Sequence, residues 1–498
     1  MNYKKVLLVL ITLFSGMIIF NLKFNETVSG SIKTIKQESL HDFLYSPFGF
    51  HPAIPYEDAN YIGIKWTRGG SAPYVFWSLV DPDMTGNPGK FQWKGEAIDS
   101  DGSKKSFNYD NLILANEAGL CQLHNIGIQP HHQGNYVKPG SWLPLDKEAY
   151  RTFVRETVKR YSFVHYWQIG NEPVANIRKS DYGRFLLISY EAVKEGNPAA
   201  KVLIGGVGGM SMPHTSTEYI SNFNDRILPL LYDVAEQNKR VFDIFDYHWY
   251  GNATGDYKIS KDIYNYISHK ISELGIPTPE GYWITEMGTY SGDPVSIYAG
   301  EDFPYQSEKQ QAIDLVKRNV YPLSFGVKKI FMAFGLMEGF KHDNGYFDHT
   351  GLIYDGHDSN DLGQGVRKLG YYTYKLMVEK LEGSDWGNIE IIQESYNVYA
   401  YKFIKKDSDE PVWVVWWDYF DDMGSSKTIS LDIDNINSVK ITEAVPDAES
   451  GKDLDENDYP NFFNTETKAA NNGEITIILG KSPVFIKEIE SKQIRPRR

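Results

Sequence analysis

Short apolar runs alternate with amphipathic segments over most of the chain. The apolar runs are rich in β-branched and aromatic residues, as strands are, and lie at 47–53, 61–68, 125–131, 163–170, 201–207, 242–250, 282–288 and 328–335. Between them, apolar residues recur at helical spacing, as in 147–160, 181–196, 262–274 and 308–320. Strands that alternate with helices in this way predict a (β/α)8 TIM barrel. A doubly wound sheet is the alternative, but the glycine-rich stretch 205–209 lacks the phosphate-binding spacing of such folds.

The pattern changes near residue 388. From there, segments with alternating apolar and polar positions are separated by polar turns, and no helical spacing interrupts them. This predicts an all-β sandwich, joined to the barrel by a last helix over 364–382. The polar, acidic stretch 449–473 is expected to be a long loop. The predicted domains are a catalytic barrel over 40–383 and a β-sandwich accessory domain over 384–492.

The first 30 residues differ in kind from the rest. Lys4 and Lys5 precede an apolar run at 6–20, the pattern of a secretory signal peptide. An uncleaved N-terminal membrane anchor is the alternative, because the run approaches the roughly 20 residues that a span needs. Both interpretations export the body of the protein, so we expect an extracytoplasmic location: secreted, periplasmic or anchored to the outer side of a membrane.

Composition narrows the classes of partner. The net charge is −14, from 51 basic and 65 acidic residues, and no cluster of Lys and Arg stands out beyond the N-terminus. Nucleic acid is therefore not an expected partner, since phosphate binding depends on clustered cations. A single cysteine, Cys121, excludes an internal disulfide framework.

Two carboxylates lie where a barrel places its reacting groups, at the carboxyl ends of strands. Glu172 follows the fourth predicted strand, and Glu286 ends the seventh. Two carboxylates that converge at a barrel mouth suit glycoside hydrolysis, in which one donates a proton while the other attacks the anomeric carbon or activates water. A separation of about 5–5.5 Å is expected if the second carboxylate is the nucleophile.

Five features follow one another along most of 45–490. They are Arg68, the stretch 76–93, Asn171-Glu172-Pro173, His248-Trp249-Tyr250 and Ile284-Thr285-Glu286-Met287-Gly288. In this order they resemble the motifs of a large clan of retaining (β/α)8 glycoside hydrolases, closest to family 39 and family 5-like enzymes, whose catalytic glutamates lie on strands 4 and 7.

The resemblance implies a role for each matched residue. Glu172 would be the acid/base and Glu286 the nucleophile, with Tyr250 hydrogen-bonded to it and Arg68 keeping it ionised. Asn171 is expected to contact the 2-hydroxyl of the sugar. Each of three residues also has a structural alternative. Glu172 would then be a carboxylate at the start of a helix, Asn171 a helix cap and Arg68 a member of an ordinary ion pair.

Further substrate contacts are predicted around these residues. His248 is one of them, with a structural histidine buried in the barrel as the alternative. Either His131 or His132 is another, but not both, because the side chains of adjacent residues face opposite ways. Strand 8 lacks the Trp that many clan members place under the sugar, so Phe334, Met337 or Glu338 would face the site instead. In the acidic loop 343–361, Tyr346 and Phe347 are candidates to stack on a sugar.

No cofactor or metal is expected. His131 and His132 lack a third zinc ligand at suitable spacing, and loop 343–361 lacks the ligand spacing of a calcium loop. The sequence predicts a retaining β-glycoside hydrolase that acts on an oligo- or polysaccharide by double displacement. A non-catalytic carbohydrate-binding barrel and a transglycosylase that uses the same residues are the alternatives.

Overall fold

A computed structural model of the 498-residue chain describes most of its length. The described residues are 44–98, 104–129, 136–175, 178, 180–208, 215–251, 256–277, 280–297, 301–357, 361–418, 425–433 and 436–489. The predicted signal peptide or anchor at 1–30 lies outside them. In the described part of the chain, no helix has the length and apolar character needed to cross a membrane.

The first part of the chain alternates strands with helices. Its strands are β1 (Phe48–His51), β2 (Trp66–Arg68), β3 (Val75–Phe76), β4 (Lys94–Ile98), β5 (Lys104–Asn108), β6 (Cys121–Gly127), β7 (Tyr166–Ile169), β8 (Lys201–Leu203), β9 (Phe245–Trp249), β10 (Tyr282–Met287) and β11 (Val327–Ala333). Its helices are α1 (Tyr56–Ile62), α2 (Trp77–Val80), α3 (Ile113–Glu117), α4 (Lys147–Arg160), α5 (Tyr182–Gly196), α6 (Ser216–Arg226), α7 (Leu228–Ala235), α8 (Ile259–Glu273), α9 (Glu308–Ser324) and α10 (Leu369–Leu381).

Eight of these strands form a parallel barrel. Their hydrogen-bonded order is β8-β7-β6-β2-β1-β11-β10-β9, and β3 adds to β6. Parallel bridges from Leu203 to Ile244 and from Val207 to Tyr247 join the two edges of this sheet. The predicted TIM barrel is therefore confirmed, and the fourth, sixth and seventh barrel strands are β7, β9 and β10.

Local sequence explains the helices around the barrel. Helix α4 begins after Asp146, whose carboxylate accepts the N–H groups of Glu148 and Ala149 at 3.0 and 2.9 Å. It ends with Lys159 and Arg160, which suit the negative end of the helix dipole. One face of α4 is buried, as the amphipathic pattern of 147–160 predicts.

The C-terminal region contains antiparallel strands in the described residues. They are β12 (Glu390–Ser395), β13 (Val398–Ile404), β14 (Pro411–Trp417), β15 (Lys427–Asp432), β16 (Ser438–Glu443), β17 (Thr465–Ala469), β18 (Glu474–Leu479) and β19 (Val484–Glu488). One sheet has the order β12-β13-β14-β19-β16-β17, and β15 pairs with β18. An apolar core that includes Trp413, Ile441 and Ile477 packs these sheets together, which confirms the predicted sandwich.

The sandwich packs directly on the barrel. Trp416 and Phe485 belong to the same apolar core as the barrel helices. Beside them, the buried carboxylate of Asp418 accepts hydrogen bonds from the Lys317 ammonium at 2.8 Å and from the Tyr257 hydroxyl at 3.0 Å. The predicted domain boundary at 383/384 falls between α10 and β12.

Three local predictions are wrong. Residues 61–62 belong to α1, which ends at Gly63 with a φ of 92°, so the second strand covers only 66–68. The third barrel strand is β6, at 121–127, and starts four residues before the predicted run at 125–131. The expected loop 449–473 contains strand β17, which pairs with β16.

Candidate active site

The carboxyl end of β7 turns sharply to present Glu172. Gly170 has a φ of 72° and Glu172 a φ of 45°, in the left-handed region that residues other than glycine rarely adopt. The Glu172 N–H donates to the carbonyl of Gly205 at 2.6 Å, which fixes this turn against the end of β8. Such backbone conformations cluster at functional sites, where the surrounding structure has to hold them.

Glu286 lies at the end of β10, and its side chain is 3% exposed. The Arg68 guanidinium donates to its Oε1, and the Tyr250 hydroxyl donates to its Oε2. Burial raises the pKa of Glu286, but His248 and Arg68 outweigh burial and lower that pKa below its ordinary value. Glu286 is therefore held as a carboxylate.

Arg68 ties three barrel strands together from a fully buried position at the end of β2. Besides its bond to Glu286, its Nε donates to Gln168 Oε1 at 2.8 Å, and its Nη2 donates to Asn171 Oδ1 at 2.6 Å. The planar guanidinium thus orients Glu286 and Asn171 together.

Glu172 differs from Glu286 in its surroundings, since its side chain is 30% exposed. His248 Nδ1 lies 2.8 Å from Glu172 Oε1 and 3.3 Å from Glu286 Oε2. One nitrogen of His248 and one oxygen of each carboxylate all lie within 4.8 Å of one another, so the nearest oxygens of Glu172 and Glu286 are within that distance.

A buried hydrogen-bond network determines which nitrogen of His248 carries a proton. Asp246 accepts from the Thr285 hydroxyl and from Gln168 Nε2, both at 2.7 Å. The Thr285 hydroxyl has a single hydrogen, so its oxygen must accept from His248 Nε2, 3.1 Å away. His248 therefore carries a proton on Nε2, and its Nδ1 faces the carboxyl group of Glu172 at 2.8 Å.

Burial raises the pKa of Asp246 to about 6, although His248 and the hydrogen bond from Thr285 lower it. At neutral pH Asp246 is therefore an anion, as the acceptor role in the network requires. This charge fixes the direction of the hydrogen bonds, which run from His248 Nε2 to the Thr285 hydroxyl and from that hydroxyl to Asp246.

The structure brings six of the eight predicted residues together. They are Arg68, Asn171, Glu172, His248, Tyr250 and Glu286. His131 and His132 lie outside the described residues.

Phe334 and Glu338, two of the residues expected to face the site in place of the strand-8 Trp, lie in different surroundings. The ring of Phe334 lies parallel to that of Tyr250, with centroids 6.3 Å apart, and the Ala333–Phe334 peptide bond is cis. Glu338 instead pairs with Lys368 in the interior. Of the loop aromatics, Tyr346 is buried and donates to the Gly251 carbonyl at 2.6 Å. Phe347 is partly exposed and lies 5.1 Å from Tyr250, so it is the better stacking candidate.

Sequence reasoning missed four residues around Glu286: His51, Gln168, Asp246 and Thr285. Burial and the charge of Arg68 lower the pKa of His51 to about 3, so this histidine is neutral. Its Nδ1 donates to the Arg68 carbonyl at 2.7 Å, and its Nε2 lies 3.8 Å from Glu286 Oε1. The available signal was a polar residue at or near the end of an apolar strand, which His51 shares with Arg68.

Two groups of side chains among the described residues have the composition and spacing to hold a metal. One is Glu172, His248 and Glu286. Arg68 and Tyr250 already donate to both oxygens of Glu286, and the guanidinium charge opposes a second cation there. The other group, His342, Asp355 and His357, lies on the loop after β11.

No family model matches the sequence, and neither does any curated protein. Solved structures match it in fold. A family 39 glycoside hydrolase from Bacteroides cellulosilyticus WH2 aligns over 90% of this chain and 82% of its own, with a TM-score of 0.59 and 14% identity. A glucosidase from Croceicoccus marinus aligns over 90% of this chain and 97% of its own, with a TM-score of 0.53 and 14% identity.

A third solved structure also matches the chain in fold. A family 51 alpha-L-arabinofuranosidase from Bifidobacterium longum aligns over 89% of this chain and 92% of its own, with a TM-score of 0.52 and 13% identity. All three proteins are glycoside hydrolases by name. At sequence identities this low, the structural similarity establishes only the fold. It confirms the predicted resemblance to these enzymes in fold.

Proposed function

We propose that this chain is a retaining β-glycoside hydrolase that acts on an oligo- or polysaccharide. The observation that carries the proposal is the pair Glu172 and Glu286, whose nearest oxygens lie within 4.8 Å at the carboxyl ends of two barrel strands. Retaining enzymes place their two carboxyl groups about 5–5.5 Å apart and inverting enzymes about 6.5–9.5 Å, so the closeness of this pair supports direct attack by a carboxylate rather than by water.

The unlike surroundings of the two carboxylates support distinct roles. Glu286 is buried, ionised and held by Arg68 and Tyr250, as a nucleophile requires. Burial and the neighbouring charge of Glu286 raise the pKa of Tyr250 well above its ordinary value, so this hydroxyl keeps its proton and donates it. Glu172 is the more exposed group, and its Oε1 lies 2.8 Å from His248 Nδ1, surroundings that suit a carboxyl group which exchanges a proton with substrate and water.

Catalysis then follows two displacements. Glu172 gives its proton to the glycosidic oxygen while a Glu286 oxygen bonds to the anomeric carbon and the leaving group departs. Glu172, now a carboxylate, takes a proton from water, and the resulting hydroxide displaces Glu286 from the anomeric carbon. Each displacement inverts the centre once, so the product keeps the β-configuration.

The surroundings of the pair suit a sugar ring. Asn171, oriented by Arg68, is placed to hydrogen-bond the 2-hydroxyl, and Phe334 with Phe347 offers apolar surface near Tyr250. Such aromatic faces recur in sites that bind flat, partly apolar ligands. An exported protein, as the N-terminus predicts, would meet polysaccharides outside the cytoplasm.

A transglycosylase would use the same residues, and what differs is whether water or a sugar hydroxyl reaches the glycosyl-enzyme. A non-catalytic binding barrel is less well supported, because such a protein has no need of an ionised Glu286 with two dedicated donors. Product analysis with and without added acceptor sugar separates the transglycosylase from the hydrolase.

The proposal is tested with a panel of aryl β-glycosides, using the wild type, Glu172→Gln, Glu286→Gln and the surface control Glu280→Gln. Loss of general acid catalysis lowers the rate by about 10²–10⁴-fold, so Glu172→Gln should fall by that factor on a poor leaving group. Glu286→Gln, which lacks the nucleophile, should fall at least as far. The control should keep wild-type activity. Azide should restore turnover of Glu172→Gln with a β-glycosyl azide as the product.

Two outcomes contradict the proposal. Activity of Glu286→Gln within about tenfold of the wild type rejects the nucleophile assignment, since loss of the attacking carboxylate must lower the rate of a covalent route by much more than that. Sugar binding without turnover of any glycoside by the wild type supports the binding barrel instead.

A further inference from the structure

Two histidines converge on one carboxylate oxygen in the loop that follows β11. The Nδ1 atoms of His342 and His357 each lie 3.2 Å from Asp355 Oδ2. The three donor atoms lie within 4.8 Å of one another. None of these residues belongs to the proposed catalytic site.

The Asp355 carboxylate is buried, with only 4% of its side chain exposed. Its Oδ1 accepts the N–H of His357 at 3.1 Å, but Oδ2 accepts no well-aligned hydrogen bond in the described part of the chain. A buried carboxylate oxygen without a hydrogen bond is costly, so the site calls for a positive partner at Oδ2.

The backbone leaves room for this carboxylate at one particular glycine. A Cβ on Gly339 would lie 2.0 Å from Asp355 Oδ2 and 2.7 Å from His342 Cε1, and the φ of Gly339 is +90°. Any other residue at this position would displace both groups.

We propose that His342, Asp355 and His357 bind a divalent transition-metal ion, with Zn²⁺ as the reference case. Zinc bonds to imidazole nitrogen and carboxylate oxygen are about 2.0–2.2 Å long, and a tetrahedron with such bonds has edges of about 3.3–3.5 Å. The two nitrogen-to-oxygen distances of 3.2 Å approximate such edges. Two imidazoles favour a transition ion over Ca²⁺ or Mg²⁺, which prefer all-oxygen ligands.

The ion would cross-link the two ends of the loop segment 342–357. It joins residues 342 and 357, and the segment between them contains Asp348, which accepts the N–H groups of 341–344 at 2.6–3.1 Å. That segment also carries Phe347, whose ring packs 4.9 Å from Phe334. The side chains of His342 and His357 are 43% and 62% exposed, which leaves the remaining ligand positions open to water.

The test measures Zn²⁺ binding to the full chain after chelator treatment and dialysis, by isothermal titration and by metal analysis. The wild type should bind one equivalent in this site, and its thermal midpoint should rise with Zn²⁺ but not with Mg²⁺. The double variant His342→Gln/His357→Gln should bind at least tenfold more weakly and lose the rise. His269→Gln, which replaces an exposed histidine of α8, should behave as the wild type.

Glu172→Gln separates this site from the other cluster of metal-ligating type and should leave Zn²⁺ binding unchanged. The proposal is rejected if the wild type binds no stoichiometric Zn²⁺ at micromolar concentration. It is also rejected if the double variant, folded by circular dichroism, binds as tightly as the wild type. Neither result bears on the catalytic pair, because no assay in this test depends on glycoside turnover.

Discussion

Replacement of Arg68 by Met removes the buried cation that holds Glu286 ionised. The variant keeps most of the side chain's length but loses the hydrogen bonds to Glu286, Asn171 and Gln168. Breaking a buried ion pair from one side costs about 3–5 kcal/mol, because it leaves an uncompensated buried charge. We expect Arg68→Met to lower the free energy of unfolding by that amount at neutral pH.

The pH dependence of this loss has a definite sign. In the wild type the folded-state pKa of Glu286 is below its ordinary value, so ionised Glu286 contributes stability that is present above the ordinary pKa and lost as the pH falls through the folded-state pKa. Without Arg68, less positive charge opposes the effect of burial, and the pKa rises. Protonation of Glu286 then relieves the unpaired charge, so the deficit of the variant should shrink in acid.

Urea unfolding of both proteins at about pH 7 and about pH 4 measures this difference directly. The acidic limb of the kcat/KM profile should also move to higher pH in Arg68→Met, since the nucleophile must be ionised. Arg318→Met is the matched control: Arg318 is equally buried and pairs with Asp314 and Asp256, so it should cost stability without moving that limb. A deficit below about 1 kcal/mol, unchanged between the two pH values, would refute the reasoning.

Two further variants test the junction and the second donor to the nucleophile. Asp418→Asn removes the carboxylate that pairs with the buried Lys317 ammonium and should cost about 3–5 kcal/mol in urea unfolding. The surface variant Glu280→Gln should cost less than about 1 kcal/mol, and equal effects would contradict the buried pair. Tyr250→Phe removes a hydrogen bond to ionised Glu286, worth about 1.5–3 kcal/mol, and should lower kcat/KM by about 10- to 100-fold. A change of less than about threefold in steady-state kinetics would show that this hydroxyl does not matter to the nucleophile.

Local signals were enough to predict much of the fold. Helix α4 lies where its amphipathic pattern over 147–160 predicts it, because that signal acts within a few residues. The second strand was overextended because Tyr61 and Ile62 look the same at the end of a helix as in a strand. Gly63, with its left-handed backbone, decides between the two.

The candidate site divides in a similar way. Glu172 and Glu286 are predictable because barrel topology alone brings the ends of strands 4 and 7 together. The roles of Asp246 and Thr285 are not predictable, since sequence alone does not distinguish a polar residue that points into the barrel from any other polar residue in an apolar strand. His342 and Asp355 meet through an irregular loop without periodicity, so no sequence spacing indicates that they converge.

The anomer that the wild-type protein first releases tests the central claim most directly. Proton NMR would follow the anomeric signals from the start of hydrolysis of an aryl β-glycoside that the panel shows to be cleaved, before mutarotation mixes them. Carboxylates whose nearest oxygens lie within 4.8 Å predict the β-anomer as the first product. Initial release of the α-anomer would mean a single displacement by water and would contradict Glu286 as the nucleophile.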